Sequence, residues 1–452
     1  MESLDRELWK VGILAKTEHN EAAPAQHELA PVFTLVNTAT DHNQLTMELM
    51  KKVAERHGLV CLLAEKPFKG VNGSGKHNNW SLVTDTGINL LDPGETPAEN
   101  LMFLIFLSAT LKAVDDYQDV LRASAASAGN DHRLGAHEAP PAIISTFLGE
   151  DLLNALKAFI NNSTYKTGKT TMRLGAKILP PLPKDTTDRN RTSPLAFTGN
   201  KFEFRMVGSN DSIADCNVVL NTAVAESLDA FAKELEVSKD VTKTVHDIVE
   251  RTFNEHERII FNGNNYSDEW VKEAEKRGLK NLRTTPEAVV SYTAEKNVEL
   301  FEKHKVLTKG ELVAIERVML ENYTRIVKIE ALTMLDMASK EIYPAINNYV
   351  SKLLEVIELK KSNGINASTD LELANKLSDL SSNVYRETQK LRILIEKVNG
   401  ITEDYKTASL VIKDEVLPCM EELRKSADEA ETLTDEKYWP YPSYAKLLFS
   451  VK

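Results

Sequence analysis

The spacing of apolar positions changes character near residue 210. Before it, short apolar runs alternate with Gly/Pro punctuation and polar clusters; after it, apolar positions recur at helical spacing almost to the end. In the first part the pattern predicts strands over Val11 to Thr17, Val60 to Leu63, Asn79 to Val83 and Phe202 to Met206. It predicts a helix over Asp41 to His57, with Asp41 and Gln44 at capping-box spacing and Gly58 at the C-terminal cap. A second, strongly apolar helix spans Pro97 to Val114, with Thr96 as N-cap before a first-turn proline. In the second part a helix runs from Ile213 to Val237. Thr285 before Pro286, the pair Thr308 and Glu311, and the pair Thr369 and Glu372 read as further helix starts. Pro344 is expected to end or kink the helix it enters, and Gly364 to close the next. Leu373, Leu377, Leu380, Val384, Leu391, Leu394 and Val398 keep heptad-like spacing, but Glu387 interrupts it. That interruption favours an antiparallel helical bundle over a long free coiled coil. No internal repeat appears.

Composition narrows the function classes. The 452 residues suffice for roughly two to four domains with a sizeable core. A formal charge of −12 gives no basic surface for nucleic acid or an anionic membrane, so neither is expected as a partner. Cys61, Cys216 and Cys419 are too few and too far apart for a disulfide framework or a zinc site, and read as free thiols in a reducing compartment. The opening MESLDRELWK lacks signal-peptide and transit-peptide character. Leu101 to Val114 is too short to span a bilayer and contains Lys112. A cytoplasmic location is the default expectation.

Five segments carry candidate chemistry. Gly70 to Ser81, GVNGSGKHNNWS, nearly matches a phosphate-binding loop, but His77 stands where the magnesium-binding Ser/Thr belongs and a strand rather than a helix follows. In a strand, His77, Asn79 and Ser81 share one face, while Gly73 and Gly75 allow close backbone approach to a ligand. In KFEFRM, Phe202, Phe204 and Met206 face a core, and Lys201, Glu203 and Arg205 share the other side. In HNEAAPAQHE, Glu21 and Glu28 flank a proline turn beside imidazoles, an oxygen-rich set that suits Mg²⁺ or Mn²⁺. NDHRLGAHEAPP places Arg133 and Glu138 on a loop, and DRNR ends on Arg191, whose guanidinium geometry matches phosphate and carboxylate. Taken singly, each segment reads more readily as a solvated turn or a weak surface pair.

Their order along the chain is what stands out. KTEHNEAAPAQHELAP, LLAEKPFKGVNGSGKHNNWSLVTDTG, ASAGNDHRLGAHEAPPAI and DRNRTSPLAFTGNKFEFRMVGSNDSIADCNVVLNT together resemble the catalytic domain of the glutamine synthetases, closest to the type III branch. The helical tail ending in KYWPYPSYAKLLF resembles that branch as well. The resemblance implies an α+β fold: a curved antiparallel sheet with helices, followed by a helical C-terminal extension. It implies a catalytic domain truncated at its N-terminus over residues 1–225, and the helical remainder with the extension over residues 226–452.

Such enzymes join ammonia to the side-chain carboxylate of glutamate, with ATP as co-substrate and γ-glutamyl phosphate as intermediate. Mg²⁺ or Mn²⁺ neutralises the crowded oxygens. The resemblance matches Glu21 and Glu28 to ligands of one cation, and His77 and Glu203 to ligands of a second. Arg133 and Arg205 match groups that hold glutamate, with Asn72 and Gly73 lining its pocket. Glu138 matches a flap carboxylate that shields the intermediate and takes a proton from ammonium. Arg191 and Lys201 match phosphate contacts, and Asn79 and Ser81 match nucleotide contacts. Ala196 departs from the pattern, since many relatives have an arginine there. No segment matches the family's N-terminal β-grasp region or the two metal-binding carboxylates that follow it. Homo-oligomeric rings are implied for the complete protein. A γ-glutamyl ligase using another amine, and a non-catalytic assembly or regulatory paralogue, stand as the alternatives.

Overall fold

The structure is a computed structural model and describes residues 1–66, 68, 71, 75–135, 139–163, 165, 171–172, 182–183 and 192–448. The chain divides into two compact units, Met1–Glu316 and Arg317–Lys452. The first unit mixes helices with small sheets, so the α+β expectation holds.

The first unit begins with α1 (Glu2–Lys10), then the antiparallel hairpin β1 (Ala15–Asn20) and β2 (His27–Pro31), then α2 (Val36–Arg56). Leu4 and Leu8 of α1 pack with Ile13 and Val53 in a small core of their own. The strand expected from Val11 thus begins four residues later, because the preceding turn closes α1. Helix α2 ends as expected, with Gly58 at φ +68, but it starts at Val36 rather than Asp41. Its N-cap Leu35 has no side-chain cap bond, so capping chemistry does not mark this start. Val60 to Leu63 forms no strand: no described residue pairs with it, and an isolated apolar run is not a sheet.

The main sheet has the order β3-β8-β7-β4, with β3 (Lys76–Trp80) at one edge. Strand β4 is Thr146–Phe147, and Thr171–Met172 (β5) pairs with Leu182–Pro183 (β6) apart from this sheet; β7 is Leu195–Phe197 and β8 is Phe202–Val207. β3, β8 and β7 are antiparallel neighbours, whereas β4 joins β7 in parallel, so the sheet is mixed rather than purely antiparallel. Phe202, Phe204 and Met206 of β8 are each fully buried. Burying side chains of this size is worth about 1.5–3 kcal/mol each.

Behind the sheet lies α3 (Leu101–Asp116), buried along most of its length, with Lys112 and Asp116 paired at its C-terminal end. Its Phe103 meets Phe197 of β7 at 5.9 Å between ring centres. Pro97–Glu99 is a separate 3-10 turn, and the cap of α3 is Asn100 rather than Thr96: its side chain accepts the Phe103 N–H at 3.0 Å. The unit continues through α4 (Gln118–Ala123), α5 (Ala128–Arg133), α6 (Glu150–Ile160), α7 (Ala214–Glu236) and α8 (Val241–His256). The short helices α9 (Asp268–Lys276), α10 (Thr285–Val289) and α11 (Glu295–Lys303) follow. α3 packs against both α7 and α8. In α10 the cap is Thr284, one residue before the expected one, and it closes a capping box with Glu287.

The second unit opens within α12 (Lys309–Met337), whose start carries the expected Thr308–Glu311 box. α13 (Tyr343–Ser362), α14 (Ser368–Asn399), α15 (Tyr405–Val411), α16 (Leu417–Leu433) and α17 (Tyr444–Leu448) complete it. α14 packs between α13 and α16, as the bundle expectation requires. Leu377, Leu380, Val384, Leu391 and Val398 form its buried seam; Ile395 is also buried there, while Leu373 and Leu394 are only half-buried. Pro344 and Pro418 each sit in the first turn after a π-helical stretch, Ala338–Ile342 and Ile412–Val416. The wider π turn relaxes the clash with the i−4 carbonyl, so helix continues through each proline rather than ending. No helix among the described residues is long and apolar enough to cross a membrane.

The cap assignment is testable by denaturant unfolding. Asn100→Ala should lower the stability of the first unit by about 1 kcal/mol, while Thr96→Ala should change it little. The reverse ranking would return the cap to Thr96.

Candidate active site

The pairing of β3 with β8 builds the centre of the site. Alternation along β8 sends Phe202, Phe204 and Met206 inward and turns Glu203 and Arg205 to the opposite face. Asn79 pairs with Glu203 and Asn78 with Phe204, but the register shifts between Lys76 and Asn78, which leaves His77 at the irregularity. His77 Nδ1 lies 2.8 Å from Glu203 Oε1, and Arg205 Nη2 lies 3.1 Å from Glu203 Oε2. Arg205 is 2% exposed, so this charged face is enclosed, unlike a solvated sheet surface. Burial raises the Glu203 pKa, but the His77 hydrogen bond and the Arg205 charge outweigh it and hold the carboxyl at about 2. His77 Nε2 is buried and has no hydrogen-bond partner among the described residues.

Arg133 differs from expectation. It is the last residue of α5 rather than part of an open loop, and it is 3% exposed. Its Nη1 donates to Asn130 Oδ1 at 3.0 Å, Met206 O at 3.3 Å and Val207 O at 3.0 Å, and its Nη2 to Arg205 O at 2.7 Å. The guanidinium therefore grips the backbone of β8. A Cβ at position 75 would overlap Arg133 Nη2, so Gly75 is required for this close approach. Glu65 Oε1 lies 3.9 Å from Arg133 Nη1 and also accepts the Ser209 N–H.

Two lysines, Lys66 and the Lys76 of the near phosphate-loop match, lie beside this cluster. Lys66 Nζ donates to Arg133 O at 2.9 Å; burial and the Arg133 charge lower its pKa to about 8. Lys76 points away from any phosphate-loop role: its Nζ reaches Asn43 Oδ1 at 3.2 Å, Met47 Sδ at 3.5 Å and the Asp211 carbonyl, tying β3 to α2. Burial lowers its pKa to about 8. Both lysines flank the glycine-rich segment, which was the available signal; their partial burial was not.

The hairpin forms a second cluster. Cross-strand pairing of His19 with Glu28 brings His19 Nε2 to 2.7 Å from Glu28 Oε2, and His19 Nδ1 lies 3.4 Å from Glu21 Oε1. One ligand atom from each of the three fits within a 4.8 Å span. Two carboxylates and an imidazole match the donor set of a divalent cation. Gln26, between them, donates to Ala64 O at 3.1 Å and Glu65 O at 3.0 Å, which ties the hairpin to the Glu65–Arg133 cluster.

Of the remaining expected residues, Asn79 is exposed on β3, and Lys201 is half-buried before β8. Ser81 Oγ donates to Asn89 Oδ1 at 2.7 Å and Asn200 O at 3.1 Å, so it holds the turn leading to Lys201. Ala196 is fully buried opposite Glu203. Asn72, Gly73, Glu138 and Arg191 lie outside the described residues.

The family model for the glutamine synthetase catalytic domain matches residues 1–145, and that for the glutamine synthetase C-terminal domain matches residues 244–361. A glutamine synthetase of Butyrivibrio fibrisolvens is 48% identical over 463 residues, covering 100% of this chain and 65% of the relative. The type-3 glutamine synthetase of Dictyostelium discoideum is 44% identical over 464 residues, covering 99% and 62%. The chain belongs to the glutamine synthetase family. A glutamine synthetase of Bacteroides fragilis is similar at 41% identity, covering 100% of this chain and 64% of the relative. The chain thus spans less than two thirds of the length of these family members.

The low Glu203 pKa sets a pH dependence of stability. A carboxyl depressed on folding contributes stability that is full above its unfolded value of about 4.3 and is lost as pH falls toward the folded value. Glu203→Gln should cost about 3 kcal/mol at neutral pH, because it leaves Arg205 buried beside a neutral group. In denaturation series from pH 7 down to about 3, the gap between variant and wild type should narrow only below about pH 4.3. A gap that does not depend on pH would mean that the ion pair does not form.

Proposed function

We propose that this chain carries the catalytic portion of a glutamate–ammonia ligase that cleaves ATP and passes through γ-glutamyl phosphate. The observation that carries the reading is the enclosed face on which Glu203 stays ionised between His77 and Arg205. In this reading residues 1–225 hold the catalytic groups, and residues 226–452 supply the helical remainder and extension.

Glu203 and His77 would hold one divalent cation, with the buried His77 Nε2 as an available donor atom, and Glu21 and Glu28 would hold another beside His19. Mg²⁺ or Mn²⁺ bound there supplies charge neutralisation where the glutamate carboxylate meets the ATP phosphates. Arg205 presents a guanidinium to the incoming carboxylate and to the transferred phosphoryl group, and its burial strengthens that contact. Arg133 acts through β8: by gripping that strand's carbonyls it fixes where Arg205 and Glu203 stand. By the family resemblance, Asn72 and Gly73 line the glutamate pocket, and Glu138 excludes water and takes the proton released as ammonium becomes the nucleophile. Arg191 and Lys201 meet phosphate, and Asn79 lies open for the nucleotide. Ser81, already bonded to Asn89 and Asn200, is the second nucleotide contact of this reading. Ring assembly in the complete protein belongs to the same proposal.

The test is glutamine formation from glutamate, ammonia and ATP with Mg²⁺ or Mn²⁺, by the chain alone and with the family's N-terminal domain added. Mg²⁺-dependent nucleotide binding by the chain should disappear in Glu203→Ala. Nucleotide affinity and metal dependence that survive this change would overturn the site, and a folded chain silent in both assays would favour a non-catalytic assembly role.

A further inference from the structure

Among the described residues, β3 is the edge strand of its sheet and ladders to β8 alone, and its register is already irregular between Lys76 and Asn78. Side chains alternate with a period of two, so a slip of one residue would turn every side chain of β3 to the other face. His77 would then enter the core, and Asn78 would replace it in the site. Something must hold the observed register, and the ladder on one side alone is a weak device for it.

Helix α7 supplies that device from the opposite face. Asn217 and Asn221, four residues apart, stand on the same side of α7. Asn78 Nδ2 donates to Asn217 Oδ1 at 3.0 Å, with both residues buried, and Trp80 Nε1 donates to Asn221 Oδ1 at 2.8 Å. The Asn217 amide is itself oriented, because its Nδ2 donates to Ile213 O at 2.8 Å and so turns its oxygen toward β3. Asn78 stands opposite the fully buried Phe204 in the ladder, so the pair lies on the core side of the strand. In such surroundings a polar group without a partner is costly, so a slipped strand that left Asn217 facing the wrong side chain would be penalised.

We propose that Asn217 is a positioning residue for the cation site: its buried amide reads Asn78, selects the register of β3, and thereby keeps the His77 imidazole beside Glu203. The proposal rests on the reading of His77 and Glu203 as cation ligands given above. It adds a requirement outside the ligand set and on another element.

The test uses the full chain with Mn²⁺ alone as probe. Asn217→Ser is the informative single change, because a helical serine hydroxyl can still return to the Ile213 carbonyl but cannot reach Asn78. The double change Asn78→Leu with Asn217→Leu removes both polar partners together and leaves neither unsatisfied. Mn²⁺ affinity should fall about tenfold in each, as for other residues that orient ligands from behind. Spin-echo modulation from an imidazole nitrogen on bound Mn²⁺, expected in the wild type and absent in His77→Ala, should weaken in both. If the double variant fails to fold, Asn217→Ser alone decides. A purely structural Asn217 would lower the metal-free melting temperature and leave the Mn²⁺ affinity and nitrogen signal of the folded protein unchanged; that result overturns the proposal. If His77→Ala and Glu203→Ala themselves leave Mn²⁺ binding unchanged, the ligand assignment falls first.

Discussion

The antiparallel contact between β3 and β8 is the constraint on which the site depends. It joins residues more than a hundred positions apart in sequence, and His77, Glu203 and Arg205 meet only because of it. The contact is fixed from several sides. The Arg133 guanidinium grips the β8 carbonyls, and the bare Cα of Gly75 lets β3 begin directly against it. Lys76 ties the start of β3 to α2, while Phe202 and Trp80 pack across the pair at 6.5 Å. Each is a modest interaction, but together they leave the strand pair little freedom.

Charge follows from that geometry. An enclosed carboxylate is expensive unless cations or donors face it. Glu203 has both an imidazole and a guanidinium, which hold its carboxyl at about 2, so it is ionised at neutral pH. The same logic reaches the hairpin through Gln26 and Glu65, since one side chain bonds the 64–65 backbone and the other meets Arg133 and Ser209. Two clusters rich in oxygen and imidazole donors are therefore mechanically linked through protein groups.

Much of this was legible in the sequence where local chemistry decides the outcome. The alternation of KFEFRM placed the aromatic side of β8 correctly, the Thr308–Glu311 box and Gly364 marked helix ends, and Ile213 to Val237 matched α7 to within a residue at each end. The reading failed where tertiary contacts decide. The start of α2 has no side-chain cap bond, Val60 to Leu63 is strand-like but finds no partner, and Asn100 outcompetes Thr96 because the proline turn is a separate 3-10 element. The composition shift near residue 210 marks where helix becomes continuous, whereas the contacts divide the chain after Glu316. At the site, motif order brought His77, Glu203 and Arg205 together, as found. It could not show that Arg133 is spent on backbone carbonyls or that Lys66 and Lys76 are half-buried, because both depend on how β8, α2 and α5 converge.

The central claim is that the β3–β8 face is a cation site. The most direct measurement is an anomalous difference map from crystals of the protein grown with Mn²⁺. The account predicts a peak within about 2–2.6 Å of a Glu203 carboxylate oxygen, with a His77 ring nitrogen turned toward it. Full-occupancy Mn²⁺ found only at other carboxylates, with His77 still paired to Glu203 as in the metal-free protein, would contradict it.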